Sequence, residues 1–420
     1  MEKLILSGKK DFKKRISAPP SKSYSHRMIL SAALSDGISR IDNLLYSKDV
    51  TATLDFAEKC GASVFRGENF AEIKGGKSPE TADIFCNESA STLRFVIPVL
   101  AAKNIKAHIT GAGRLMYRPL DVYTEIFDKK GISYDYKTGE YFDVKSKLPS
   151  GIYDVRGDVS SQFVTGLLYA LALTNGNSEI NITTPLLSKP YIDITLDVLK
   201  MSGIEIENDS YKTFKIKKNQ KFIPINASVP GDFSQCCPFV AAGLFGGKTE
   251  ILNLDMKSLQ GDKKIIEYCK ELGGKITAYE SKITAEKSSL KSGKTFDVSD
   301  CPDIAPVFAV ICARAEGETV LTGTNRLKIK ECDREQAIVT TLNKLGAKCV
   351  SGDNFIKING VKTFNGGEFD SFNDHRTAMA LCAASLCTDG KITVLNPMCI
   401  EKSYPDFYDD CKDFTYQTRC

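Results

Sequence analysis

Cations and hydroxyls crowd the starts of apolar segments in this chain, where a helix start needs only one capping oxygen. In "APPSKSYSHRMILSAAL", Ser21, Lys22, Ser23, Ser25, His26 and Arg27 precede a run with helical spacing. "CNESASTLRFVIPVLAA" sets Ser89, Ser91, Thr92 and Arg94 before a second such run, and "GDVSSQFVTGLLYALAL" sets Ser160, Ser161 and Gln162 before a third. A helix N-terminus presents unpaired N–H groups and the positive end of its dipole, so added hydroxyls and guanidinium groups make a place for a phosphate or carboxylate. Taken singly, each Ser reads as an N-cap. Arg27 and Arg94, set in or beside apolar runs, need partners, because an unpaired buried cation is very costly.

More cations stand in loops: Arg114 and Arg118 in "GRLMYRPLD", Lys328, Lys330 and Arg334 in "NRLKIKECDRE", His375 and Arg376 in "FNDHRTAMAL", and Lys402 in "EKSYPDF". Singly these read as solvated charges. Yet the chain holds only three histidines, and His26 and His375 each stand directly before an Arg that leads into an apolar run. Asp374 is placed to cap the helix that Arg376 enters. Carboxylates supply the other half of a mechanism. Asp303 heads the apolar run of "SDCPDIAPVFAV", and Glu331 lies between Lys330 and Arg334, which would hold it ionised. A general base and a general acid among anion-binding cations suit proton movement on an anionic substrate. Nucleotide P-loop, dinucleotide-binding, nucleophile-elbow and H-E-x-x-H motifs do not occur, so ATP, nicotinamide and metal chemistry lack a signature.

The elements that must position these residues repeat. "LDFAEKCGASVF", "TEIFDKKGISYD", "LDVLKMSGIEIE", "IIEYCKELGGKIT" and "VTTLNKLGAKCV" each read as a helix ended by Gly and followed by a strand, with Gly61, Gly131, Gly203, Gly273 and Gly346 at intervals of 70, 72, 70 and 73 residues. A second strand follows a turn in each: "AEIKGG", "YFDVKS", "TFKIKK", "KITAEK", "FIKING". Each repeat is therefore an α/β unit with antiparallel strand pairs. Six such units fill the chain, the sixth being "PDFYDDCKDF", expected to be truncated after its helix. Units of this length suit two compact groups of three rather than an open array. Pro and Gly in "NASVPGDFSQ" put an internal boundary around residues 227–232.

With 420 residues, the chain is long enough for two domains. Its formal charge of +4 gives no global field for nucleic acid or an anionic membrane. The 14 cysteines are scattered without metal-ligand spacing and read as reduced, mostly buried apolar residues. No signal segment or membrane-spanning run stands out, which leads to an expectation of a cytoplasmic protein.

Assembled, these residues resemble the 5-enolpyruvylshikimate-3-phosphate synthase family of enolpyruvyl transferases. The likeness runs in order from "SKSYSHR" through "GRLMYRPLD", "GDVSSQF", "LLSKPYIDITLDVL", "SLQGD", "CPDIAPVFAV", "KIKECDRE" and "NDHRTAMA" to "EKSYPDF". It implies transfer of enolpyruvyl from phosphoenolpyruvate to the 5-hydroxyl of shikimate 3-phosphate, with no cofactor and no metal, by a cytoplasmic monomer. The fold implied is a two-domain inside-out α/β barrel, each domain three β-α-β-α-β-β repeats. Residues 1–18 with 230–420 would form one domain and 19–229 the other, with the active site in the cleft between them.

Carried over by position, the resemblance places shikimate 3-phosphate on Lys22, Ser23, Arg27, Ser160, Ser161, Gln162, Ser188, Tyr191, Asp303 and Lys330. It places phosphoenolpyruvate on Lys22, Ala90, Arg118, Gln162, Arg334, Arg376 and Lys402. Asp303 would take the proton from the 5-hydroxyl, Glu331 would deliver one to the enolpyruvyl methylene, and Lys22, Lys330 and His375 would assist. Two departures stand out. Ala90 occupies the place of a pocket-lining Gly in many members, which predicts weakened inhibition by glyphosate. Arg326 stands where many members carry Asn or an acidic residue. Two other readings are the sister transferase acting on UDP-N-acetylglucosamine, which usually carries a Cys in the loop matching "GAGRLMYRPLD", and a non-catalytic binder of phosphorylated ligands.

Overall fold

The computed structural model describes residues 2–419; Met1 and Cys420 lie outside the described residues. The chain divides into two units, Lys22–Val229 and the flanking Met1–Ser21 with Pro230–Cys420. Each unit holds three four-stranded sheets, separate from one another rather than joined in one closed barrel.

One repeat shows the rule. Strand Thr81–Phe85 leads to helix Ala90–Ala102, strand Lys106–Thr110, helix Asp121–Lys130 and the hairpin Tyr134–Lys137 and Tyr141–Val144. The first two strands pair in parallel and the hairpin closes the sheet antiparallel, in the spatial order first, second, fourth, third. The other five sheets keep this order. Gly61, Gly131, Gly203, Gly273 and Gly346 all have positive φ, from 64° to 96°, at the turn between the second helix and the hairpin. A side chain is strained in that conformation, which is why glycine marks the repeat so regularly.

The sixth repeat corrects the expectation of truncation. Strand Thr415–Arg419 follows its short helix Phe407–Asp410, and the last strand is supplied by the other end of the chain: Lys3–Gly8 lies antiparallel between Ile392–Leu395 and Thr415–Arg419. Two other sheets also borrow a strand. Lys13–Ser17 runs parallel to Lys248–Leu252, and Asn226–Ser228 runs parallel to Ile38–Asp42.

The two helices of a repeat differ in kind. The first helices, Lys22–Leu34, Ala90–Ala102, Ser161–Ala172, Phe233–Gly246, Ala305–Cys312 and His375–Ala384, are buried on nearly every face. The second helices, such as Lys48–Lys59 and Arg334–Lys344, are buried on one face only. Helices apolar all round must sit inside their unit, with the amphipathic helices and sheets around them. Ala90–Ala102 against Ser161–Ala172 and Ala305–Cys312 against His375–Ala384 are among the main packings. Ser23, Arg27, Ser89, Arg94, Ser160, Gln162, His375 and Arg376 stand in or beside the first turns of these central helices, whereas Arg118, Lys330, Glu331, Arg334 and Lys402 come from turns and from the start of a second helix.

Candidate active site

The candidate residues gather in two sets, one in each unit. In the unit of Lys22–Val229, three central helices begin with the expected polar residues. Ser89 and Ser160 are N-caps whose hydroxyls accept from the N–H of Thr92 and Gln162. The third such helix is Lys22–Leu34. Ser188, in the left-handed conformation with φ 57°, instead opens a second helix, Lys189–Met201.

The buried arginines find their partners inside this unit. Arg27, 2% exposed, donates from Nε to Thr195 Oγ1 at 2.8 Å, from Nη1 to the Ser23 carbonyl at 2.8 Å and from Nη2 to the Tyr191 carbonyl at 3.1 Å. It thereby positions two of the candidate shikimate residues. Burial lowers its pKa to about 10, against the opposing pull of Tyr169, Tyr191 and Tyr24, so it stays charged at neutral pH. Arg94 donates from Nη1 to Gln162 Oε1 at 2.9 Å and from Nη2 to the Pro119 carbonyl at 3.0 Å, over the ring of Phe163. Gln162 in turn donates from Nε2 to Ser91 Oγ at 2.9 Å. Lys22 Nζ pairs with Asp49 Oδ2 at 2.8 Å, and Arg118 is 9% exposed at the end of the turn Leu115–Tyr117.

In the other unit, Arg334 is a hub. From a side chain 1% exposed it reaches Asp374 Oδ2 through Nε at 2.8 Å, Asp303 Oδ1 through Nη1 at 2.8 Å and Glu331 Oε2 through Nη2 at 2.7 Å. Burial alone would lower its pKa, but Asp374, Glu331 and Asp303 outweigh that and hold it above its ordinary value. Asp374 does two jobs: its other oxygen caps helix His375–Ala384 by accepting from the N–H groups of Arg376 and Thr377.

Asp303 is ringed by cations. Lys330 Nζ lies 3.2 Å from Oδ1 and Arg376 Nη2 lies 3.9 Å from Oδ2, in addition to Arg334. Burial pushes the Lys330 ammonium down to about 8; Asp303 and Glu331 oppose this, while Arg334 and Arg326 add to it. Arg376 donates from Nη2 to Ser234 Oγ at 2.7 Å and from Nη1 to Gln235 Oε1 at 3.4 Å. Asp232 caps the helix that carries both. Lys402, 5% exposed, donates to the Asn373 carbonyl at 2.7 Å, and His375 is buried.

Sequence reasoning missed Asp49, Thr195, Ser234 and Gln235 and expected Asp374 only as a cap. Asp49 stands 27 residues from Lys22 and Thr195 stands 168 from Arg27, so no local spacing announces either pair. Among the described residues no group of His, Cys, Asp and Glu has the arrangement of a metal site.

The model of the EPSP synthase (3-phosphoshikimate 1-carboxyvinyltransferase) family matches residues 6–411. The chain belongs to this family. It is 42% identical over 409 residues to the 3-phosphoshikimate 1-carboxyvinyltransferase of Clostridium novyi, covering 94% of this chain and 93% of that protein. It is 43% identical over 404 residues to that of Clostridium acetobutylicum, covering 94% of each. The solved EPSP synthase of Acinetobacter baumannii superposes with a TM-score of 0.83 at 24% identity, covering 100% of both chains. The enolpyruvyl transferase NikO of Streptomyces tendae gives a TM-score of 0.77 at 16% identity, covering 100% of this chain and 99% of that one. These structures share the fold.

Proposed function

We propose that this chain carries out its family's reaction with both sets of residues, moving the 1-carboxyvinyl group of phosphoenolpyruvate onto the 5-hydroxyl of shikimate 3-phosphate. The observation that carries this reading is the hub: Asp303 and Glu331 share the Arg334 guanidinium, with Lys330 and Arg376 beside Asp303. A base and an acid are thus held close together among cations suited to anionic substrates. Asp303 takes the proton of the 5-hydroxyl as the hydroxyl oxygen bonds to the central carbon of phosphoenolpyruvate, and Glu331, which must first take up a proton from solvent, delivers it to the methylene and later takes it back. In the resulting tetrahedral intermediate the bond to the phosphate oxygen breaks, the methyl group returns a proton, and phosphate leaves as the double bond reforms.

Lys22, Arg118, Arg334, Arg376 and Lys402 are proposed to balance the charge of the donor, and Ser160, Ser161, Ser188, Ser23, Gln162 and Tyr191 to hold the acceptor. Lys330, with its pKa near 8, changes charge within reach of the working pH, so kcat/KM should carry an alkaline limb there. The loop of residues 111–121 holds no Cys, which separates the chain from the sister reaction on UDP-N-acetylglucosamine. On the family resemblance we extend the reading to a cytoplasmic monomer. Among the described residues no helix is long and apolar enough to cross a membrane.

Purified protein should release phosphate only when both phosphoenolpyruvate and shikimate 3-phosphate are present. Release with the sugar nucleotide in place of shikimate 3-phosphate, or with phosphoenolpyruvate alone, would sink the assignment.

Ala90 opens helix Ala90–Ala102 and is 7% exposed. Its methyl group narrows the place where many family members have glycine, and crowding of a packed site is resisted. We therefore propose that Ala90→Gly lowers the glyphosate concentration for half-inhibition at least about ten-fold, equivalent to roughly 1.4 kcal/mol of inhibitor binding. Equal inhibition of both proteins would remove Ala90 from the specificity of the pocket.

A further inference from the structure

His26, in the opening segment, is a buried titratable residue to which the mechanism gives no task. It is 0% exposed, and its pKa lies well below the ordinary value through burial and, secondarily, the charges of Lys22 and Arg27. It is therefore a neutral imidazole at working pH. Its Nδ1 lies 2.6 Å from Thr53 Oγ1, and Thr53 Oγ1 lies 2.7 Å from Thr92 Oγ1. Thr92 Oγ1 lies 2.7 Å from Ser89 Oγ, the N-cap oxygen that accepts from the Thr92 N–H at 3.2 Å. Every member of this chain is buried.

The hydrogens can run either way along this chain: with Nδ1 as acceptor, Ser89 donates to Thr92, Thr92 to Thr53 and Thr53 to the ring, and with Nδ1 as donor the ring bonds Thr53, whose hydroxyl can donate to the Asp49 carbonyl at 3.5 Å. In both cases the other ring nitrogen, Nε2, is left over. That Nε2 has no hydrogen-bond partner among the described residues. An apolar side chain would fill the same space without stranding a polar atom, so packing alone does not account for a histidine here. What the imidazole adds is its bond to Thr53.

Three helices meet along this chain. Lys22 and His26 lie one turn apart on helix Lys22–Leu34, and Asp49 and Thr53 one turn apart on helix Lys48–Lys59. Two rungs join them, Lys22 with Asp49 and His26 with Thr53, and Thr92 extends the second rung to the first turn of helix Ala90–Ala102. We propose that His26 is a positioning residue that ties the first turn of helix Ala90–Ala102 to helix Lys22–Leu34, so that Lys22 and Ala90 stand in fixed register around the donor substrate. This rests on the reading above that both residues serve phosphoenolpyruvate.

The test compares His26→Leu, His26→Asn and Thr53→Val with the unaltered protein. His26→Leu should raise the KM for phosphoenolpyruvate about ten-fold and that for shikimate 3-phosphate clearly less, because Ser160, Ser161 and Ser188 stand on other helices, although Ser23 shares helix Lys22–Leu34 with His26. Thr53→Val, nearly unchanged in shape, should reproduce the split and serves where His26→Leu does not fold. His26→Asn should restore the donor KM, since its amide can bond Thr53. Equal changes in both constants, or none in either Thr53→Val or His26→Leu, would overturn the proposal. Phosphate release by the unaltered protein tests the underlying reading separately. The buried chain is also read without activity: the unfolding midpoints of His26→Leu, Thr92→Val and their double variant should be non-additive, and additive losses would equally overturn it.

Discussion

Replacing Arg334 by Met is expected to destabilise the protein by about 3–5 kcal/mol, the usual effect of removing one partner from a buried ion pair. Met keeps much of the length of the side chain, so the loss is electrostatic rather than a cavity. Three carboxylates now share one guanidinium, and Asp374 among them is fully buried. Asp303 would keep Lys330 and Arg376 as partners, whereas Glu331 and Asp374 would lose their charged contact with Arg334. Stranding Asp374 would also strain the start of helix His375–Ala384, which it caps and from which Arg376 projects. The expected result is a melting temperature lower by about 10 °C, on the scale of a domain of roughly 200 residues. Turnover should fall with it, at least about 100-fold, because the two groups proposed for proton transfer, Asp303 and Glu331, would lose their common anchor. A second measurement identifies the cause. Mild acidification neutralises stranded carboxylates, so the variant should regain part of its lost stability between pH 7 and pH 5, where the unaltered protein should not gain. A melting temperature within two degrees of the parent at pH 7 would show that Arg334 is not the hub its contacts describe.

The repeats were legible because each relies on a local conformational need. A helix that ends in the left-handed region selects glycine, and five glycines at near-equal spacing give the period. The closing strand of the sixth repeat was not legible, because Lys3–Gly8 pairs with residues at the far end of the chain. Nothing near residue 415 tells that its partner strand begins at residue 3. The site divides in the same way. Ser89, Ser160 and Asp374 sit at helix starts, where a short polar side chain before an apolar run is a local signal. The partner of Lys22 lies on the second helix of its own repeat, 27 residues away, and those of Arg27 and Arg376 lie on other repeats, so only packing brings them together.

That division has a physical reason. The six central helices are apolar nearly all round, and their N-terminal ends are the places where polar chemistry can be set beside their orphan N–H groups. Sequence therefore shows which ends gather polar side chains. It does not show which amphipathic helix supplies the counter-charge, because Asp49 and Arg334 stand on second helices whose exposed faces carry many similar residues.

Asp303→Asn is expected to lower phosphate release by roughly 10²–10⁴-fold, the range for loss of a general base. The substitution keeps size and hydrogen-bonding capacity, so the fold should survive far better than in Arg334→Met. It removes the charge that now opposes the burial of Lys330. With that carboxylate gone, burial together with Arg334 and Arg326 would push the Lys330 ammonium below its present value of about 8. A lysine whose pKa falls loses its proton at a lower pH, so the alkaline limb of the residual kcat/KM should move toward acid. Lys330→Arg, which stays protonated throughout this range, should lack the limb. The profile thus separates the two roles proposed for Asp303, as the group that accepts the proton and as the counter-charge that keeps Lys330 cationic. Full phosphate release by Asp303→Asn would remove it from proton transfer, and an unmoved limb would place the titrating group elsewhere than Lys330.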